Sequence, residues 1–197
     1  MKKYIKYIVL ICLVIILIIG LKWPTNSKYL SGKINIEISV IDYGKIELEL
    51  DADNTPITVT NFVNLINEKF YDGLTFHRII DGFMIQGGDP SKDGTGGSNE
   101  TIKGEFSSNG VNNKILHKRG VISMARRSND PNSASSQFFI MQKDNESLDG
   151  EYAAFGYVTS GMEVVDKIIE NVSSLGDDNG LIPEENQPVI EYIKILD

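Results

Sequence analysis

The sequence predicts an all-β fold: an eight-stranded antiparallel barrel capped by two short helices, with one apolar helix ahead of it. Three observations carry that expectation. Some eight short apolar or alternating runs are bounded by Gly, Asn and Asp turns, the pattern of a closed antiparallel barrel. Only two later stretches repeat their apolar residues at helical spacing. The first 23 residues differ from all the rest, with a basic start and then an uncharged apolar run.

That first segment reads as an address and an anchor. Met1-Lys2-Lys3-Tyr4-Ile5-Lys6 is a basic start, and Tyr7 to Leu21 carries no charge. Tyr4 to Trp23, with Lys6 and Lys22 snorkelling, gives about 30 Å of helix, about one hydrocarbon core. Trp23 stands where an interfacial aromatic anchor belongs. Lys22-Trp23-Pro24 follows the run, so the small residues of a cleavage site are missing. Ile11 before Cys12 does not suit a lipoprotein signal. A helix packed on a domain of this size would keep a polar face, and this one is apolar on every face. The reading is therefore an uncleaved signal-anchor over 1–23, a linker over 24–32 and one domain over 33–197. Basic residues precede the span, which places the N-terminus in the cytoplasm and the domain outside the cell membrane. Cleavage would make the protein secreted.

The domain opens with a hairpin. Ile34, Ile36, Ile38 and Val40 alternate with polar residues, as do Ile46, Leu48 and Leu50, around Asp42-Tyr43-Gly44. Asn54-Thr55-Pro56 offers a helix cap and a first-turn Pro. Val59, Phe62, Val63, Leu65 and Ile66 then form a helical stripe to about Lys69. Leu74–Ile80 and Phe83–Gln86 read as strands around Asp81-Gly82. Residues 87–113, rich in Gly, Ser, Asn and Asp, read as loops. Gly120–Ala125, Gln137–Met141 and Ala154–Val158 are further strands. Met162–Ile169 is the second helix, and Val189–Leu196 closes the fold.

Composition narrows the function. The chain has 197 residues, 41% of them hydrophobic and 23% charged, which excludes disorder. One Cys excludes a disulfide framework and a thiolate zinc site. Residues 1–30 hold five Lys and no acid, leaving 14 basic and 27 acidic residues in 31–197, a net charge of −13. A domain this acidic repels nucleic acid, so no nucleic-acid partner is expected.

The stretch Phe76-His77-Arg78-Ile79-Ile80-Asp81-Gly82-Phe83-Met84-Ile85-Gln86-Gly87-Gly88-Asp89 resembles the signature of the cyclophilin family of peptidyl-prolyl cis-trans isomerases. Gly94-Thr95-Gly96-Gly97, Gly120 to Ala125, Ser136 to Ile140, Leu148-Asp149-Gly150 and Phe155-Gly156 resemble further family blocks in family order. The resemblance spans roughly residues 34–196 and is very specific. It implies an eight-stranded barrel with two capping helices, in agreement with the count made from periodicity.

The chemistry of that family asks for little. An X–Pro bond turns slowly because amide resonance must be broken, a barrier of ~18–20 kcal/mol. No bond is made or cleaved, so no nucleophile, metal or cofactor is called for, and none is expected here. A cationic donor aimed at the proline nitrogen stabilises the twisted state alone. The resemblance assigns that role to Arg78, with Gln86 and Phe83 beside it as catalytic residues. It assigns the proline seat to Phe83, Met84, Phe139 and Leu148. Gln86 and Gln137 would hold the carbonyls flanking the turning bond. Ala125 and Arg126 would grip the chain upstream of proline, Ala125 through its backbone edge. His77 would support Arg78 by hydrogen bonding.

Each residue also has a plainer reading. An Arg on a strand is usually a solvated surface group, and lone aromatics are usually core. Phe138, next to Phe139, must face the other way and reads as core. His117 reads as structural or exposed. Asp177-Asp178-Asn179-Gly180 reads as an exposed turn, since it lacks the spacing of a calcium loop. Three departures from the family stand out. Arg126 replaces the Asn of many eukaryotic members. Ser147 stands where many carry Trp or His, which implies weak binding of cyclosporin. Tyr152 replaces a groove His and is included as substrate-binding. The expected substrate is a proline-containing unfolded or flexible polypeptide outside the membrane, and the chain is expected to act as a monomer. The alternative is a proline-peptide binding module without catalysis.

Overall fold

A computed structural model of the chain describes residues 28–196. The anchor over 1–23 and the first residues of the linker lie outside the described residues. Among the described residues no helix is long and apolar enough to cross a membrane.

The alternating runs become strands because one face of each can be buried. Strands β1 (Lys33–Val40) and β2 (Gly44–Asp51) form the expected hairpin, with Ile38 opposite Ile46 and Ile36 opposite Leu48. Asp42 takes the left-handed turn conformation (φ 66°), which Asp tolerates better than most residues. Strands β3 (Phe76–Ile80), β4 (Met84–Gly87), β5 (Val121–Met124), β6 (Phe138–Met141), β7 (Ala154–Ser160) and β8 (Ile190–Ile195) complete the set. They form one sheet in the order β3-β4-β6-β5-β7-β2-β1-β8, every pair antiparallel.

The sheet curls until its two edges meet. Phe76 N–H donates to the Pro188 carbonyl (2.9 Å), Ile190 N–H to Leu74 (2.8 Å) and Gly73 N–H to Ile190 (2.8 Å). Closure is thus a short seam beside the Thr75–Val189 bridge. It leaves little edge for another chain to pair with.

Two helices close the barrel ends. Helix α1 (Pro56–Asn67) buries Val59, Phe62, Val63, Leu65 and Ile66; α2 (Met162–Val172) buries Val164, Val165, Ile168, Ile169 and Val172. The expected helix at 54–69 does begin at Pro56, as its first-turn Pro implies, but it is capped and stopped for reasons the local sequence does not carry. Thr55 is the N-cap residue, but its hydroxyl donates to the Asp51 carbonyl instead of capping. The cap comes from Glu105, a buried carboxylate that accepts the N–H groups of Ile57 (3.1 Å) and Thr58 (2.7 Å). At the other end Lys69 is left-handed (φ 57°), and Phe70 N–H donates to Leu65 while Lys69 N–H donates to Ile66. That is the Schellman pattern, usually built on Gly. Helix α2 runs three residues past the expected Ile169, because Val172 still reaches the core.

The barrel interior is filled by a main core that includes Ile36, Leu48, Phe62, Ile85, Phe138, Ile140 and Phe155. Phe138 is core, as its alternation requires. A second, smaller apolar cluster lies apart from it: Met84, Val121, Phe139, Met141 and Ala154, with Phe83, Ala125, Leu148 and Tyr152 packed on top.

On β1, the nearly buried Glu37 receives Lys194 (3.0 Å), Lys45 (3.1 Å) and the Tyr192 hydroxyl (2.9 Å). Burial alone would raise its pKa, but these three partners outweigh it and bring the carboxyl to about 2.

Candidate active site

Strand register places the candidate residues in rows. Arg78 of β3 lies opposite Gln86 of β4, Gln86 opposite Phe139 of β6, and Phe139 opposite Ser123 of β5. Residues opposite one another across a sheet share a face. Ile85 and Ile140 alternate to the other face and enter the barrel core. Met84 and Phe139 therefore look outward and floor a groove instead of filling the interior.

A cavity of about 230 Å³ opens on this floor, lined by Arg78, Phe83, Met84, Gln86, Ala125, Arg126, Phe139, Leu148 and Tyr152. Nine of the expected site residues thus surround one pocket. A second chamber of about 210 Å³ adjoins it and shares Gln86, Ala125 and Arg126 as the common wall. Its remaining lining is polar, from Gly94 to Ser98, Ser133, Ser135 and Gln137 among others. Gln137 accordingly sits in the neighbouring chamber and not in the apolar pocket.

Arg78 is half-buried and held by two neutral acceptors. Its Nε–H donates to the Asn179 carbonyl (2.8 Å) and its Nη1–H to Gln86 Oε1 (3.2 Å). Among the described residues no carboxylate pairs with it, so its charge is not cancelled. Burial lowers its pKa, and Tyr152 and Asp177 act against that; an Arg stays charged at neutral pH regardless.

The two glutamines bond to each other. Gln86 Nε2 donates to Gln137 Oε1 (2.8 Å), and Gln137 Nε2 donates to the carbonyls of Gly96 (2.8 Å) and Gly94 (3.1 Å). This chain ties the 94–97 loop to Arg78. The expectation that both amides wait for substrate carbonyls is corrected to that extent: each already has protein partners.

Arg126 is also committed. Its guanidinium lies 4.8 Å from the Tyr152 ring centre and 5.2 Å from that of Phe106. It donates to the carbonyls of Glu151 (2.9 Å), Arg127 (3.0 Å) and Ser128 (3.1 Å). It is a wall, not a free grip. Ala125 N–H donates to the Gln137 carbonyl (3.0 Å). Ser147 is exposed, with its hydroxyl on Asn145 (2.6 Å), and does not line the pocket beside Leu148.

His77 is the expectation that fails. Phe76 faces Gly87 and Arg78 faces Gln86, so His77 is the extra residue of a bulge. Its side chain is fully buried, neither ring nitrogen bonds to any described group, and it lines neither chamber. Burial lowers its pKa and keeps it neutral. It neither supports Arg78 nor meets a ligand in the groove.

Other residues matter that sequence reasoning passed over. Buried His117 links Asp149 (Nδ1, 3.0 Å) to Ser123 (Nε2, 3.0 Å), and its ring stacks 6.0 Å from Phe139. It braces the pocket floor from behind, so of the two readings offered by the sequence, structural or exposed, the structural one holds. Asn179 reaches Arg78 from 101 residues away. Only backbone folding reveals that contact, since a carbonyl leaves no mark in a sequence.

A family model described as cyclophilin type peptidyl-prolyl cis-trans isomerase/CLD matches residues 33–196. The chain belongs to the cyclophilin family. Peptidyl-prolyl cis-trans isomerase B of Bacillus subtilis (strain 168) is 48% identical to this cyclophilin, over 62% of this chain and 81% of that one. Peptidyl-prolyl cis-trans isomerase A of Dickeya dadantii (strain 3937) is 45% identical, over 78% of this chain and 80% of that one. A crystal structure of a cyclophilin type peptidyl-prolyl cis-trans isomerase from Cryptosporidium parvum, determined in the presence of the dipeptide Ala-Pro, superposes with a TM-score of 0.72. It is 31% identical and covers 83% of this cyclophilin and 99% of that chain. The groove just described is thus the face on which the cyclophilin's candidate residues converge.

Proposed function

We propose that the chain accelerates rotation about X–Pro bonds in proline-containing polypeptides that fold outside the cytoplasmic membrane, to which residues 1–23 tether it. One observation carries the catalytic part: an uncancelled guanidinium, fixed by neutral acceptors, at the rim of an apolar pocket. Family membership and the names of the relatives support the same activity. The tether rests on the sequence of the first 23 residues.

The geometry suggests how the work is divided. A prolyl ring enters the pocket over Met84 and Phe139, while Phe83, Leu148 and Tyr152 enclose it. Burying the ring anchors one side of the bond. The upstream residues run along the wall at Ala125 and Arg126 toward the polar chamber. Rotation then twists the amide and returns a lone pair to the proline nitrogen. Arg78 still has donors to offer that nitrogen, because among the described residues its Nε–H and one Nη1–H alone are engaged. The planar amide has no such lone pair, so the interaction favours the twisted state and lowers the barrier. The donor is already in place, and no reorganisation is needed at the moment of rotation.

A protease-coupled assay on a short X–Pro peptide, with the detergent-solubilised full chain, tests this. Arg78→Ala should lower kcat/KM at least about tenfold, or ~1.4 kcal/mol, with the circular dichroism spectrum unchanged. An unchanged rate removes Arg78 from the mechanism. Peptide binding with no rate gain in the parent chain favours the binding module. For the tether, membrane fractionation with N-terminal sequencing should return Met1 in the membrane fraction. A start near Thr25 would show a cleaved signal and a secreted enzyme.

A further inference from the structure

We infer that Asp177 is a positioning residue for Arg78, folding the 177–181 turn so that the Asn179 carbonyl is aimed at Arg78 Nε. This deepens the isomerase reading and rests on it. The turn is exposed at Asp177, Asp178 and Asn179, so packing does not fix where the Asn179 carbonyl points. Hydrogen bonds do. One oxygen of Asp177, Oδ1, accepts the N–H groups of Asn179 (2.8 Å) and Leu181 (2.9 Å). Around it, Asp177 N–H donates to the Leu181 carbonyl (3.0 Å) and Gly180 N–H to the Asp177 carbonyl (2.8 Å). A carboxylate that bonds backbone two residues on is an Asx-type turn.

The turn is then clamped onto β3 on both sides of Arg78. Ile79 N–H donates to the Gly180 carbonyl (2.8 Å), and Ile182 N–H donates to the His77 carbonyl (2.9 Å). Leu181 forms the bridge opposite Arg78 itself. Gly180 is left-handed (φ 80°), and a Cβ there would lie 2.4 Å from Ile80 Cγ1. The turn therefore sits in one register against the strand that carries the arginine. Within that frame the Asn179 carbonyl takes Arg78 Nε at 2.8 Å. Gln86 holds Nη1 from the opposite side. Two neutral acceptors on opposite sides fix the plane of the guanidinium without neutralising it. An ion pair in the same place would fix the plane and weaken the donor.

The test compares Asp177→Ala with Asp177→Asn in the full chain. Asparagine keeps a side-chain carbonyl that accepts the same two N–H groups; alanine does not. Asp177→Ala should lower kcat about fivefold or more while KM for the X–Pro peptide stays within about twofold. Asp177→Asn should restore kcat to within about twofold of the parent. In ¹⁵N spectra the Arg78 Nε–H resonance, identified by its loss in Arg78→Lys, should shift and exchange faster in Asp177→Ala and be retained in Asp177→Asn. An unchanged kcat and an unmoved Arg78 resonance in Asp177→Ala overturn the inference. So does an Asp177→Asn variant as impaired as Asp177→Ala, since charge and not turn geometry would then be responsible. A parent chain without isomerase activity sinks the isomerase reading instead, and the Arg78 resonance still decides what Asp177 does.

Discussion

At the scale of single residues, Arg78 and Arg126 divide the work of the groove. Arg78 offers donors, while Arg126 has its fork filled by three carbonyls and stacks between two aromatic rings. Removing Arg126 should therefore damage binding more than rotation. Arg126→Ala is expected to raise KM about tenfold (~1.4 kcal/mol) with kcat little changed. Arg126→Lys should not rescue it, because an ammonium cannot stack flat or bond three carbonyls in one plane. Steady-state kinetics on one peptide series checks both. The sequence made Arg78, Phe83, Met84, Gln86, Phe139, Leu148 and Tyr152 legible, since family blocks and strand alternation carry them. His77 was misread because a bulge breaks that alternation, and nothing in Phe76-His77-Arg78 announces the extra residue. Asn179 was invisible because it acts through its backbone. Asp177 was visible as part of a turn, but its target was not.

At the scale of elements, both ends of α1 depend on unusual partners. Glu105→Ala should cost about 1–3 kcal/mol, because it strips the N–H groups of Ile57 and Thr58 of a buried acceptor. Lys69→Gly should gain about 0.5–1 kcal/mol, because Lys69 is exposed and held left-handed where glycine carries no penalty. Urea denaturation of the two variants measures both. Strand existence and order of appearance were readable from period-2 runs, and all eight lie where expected to within a few residues. The helix boundaries were less readable. Pro56 marks the start of α1, but the cap acceptor is a carboxylate about fifty residues downstream, and the helix ends on a residue type that seldom adopts the required conformation. The seam between Gly73–Phe76 and Pro188–Ile190 was likewise hidden, since pairing between distant segments leaves no local pattern.

At the scale of the whole molecule, the domain is strongly acidic, and one carboxylate carries part of its sensitivity to acid. The Glu37 carboxyl sits at about 2 in the folded chain, below its ordinary 4.5. Its contribution is therefore complete above about pH 4.5 and is lost as pH falls toward 2. Glu37→Gln should flatten the fall in Tm between pH 5 and 2, while lowering Tm at pH 7; calorimetry across that range shows both. An unaltered acid limb would place the sensitivity elsewhere. The acid balance also keeps anionic surfaces at a distance, which suits a domain carried by a basic N-terminal segment. The separation of the two apolar clusters has its own outcome. The groove floor of Met84 and Phe139, with Val121, Met141 and Ala154 packed beside it, belongs to a different cluster from the one that fills the barrel. Evolution can therefore recarve client preference on the outside, one side chain at a time, while the load of keeping the scaffold upright stays within.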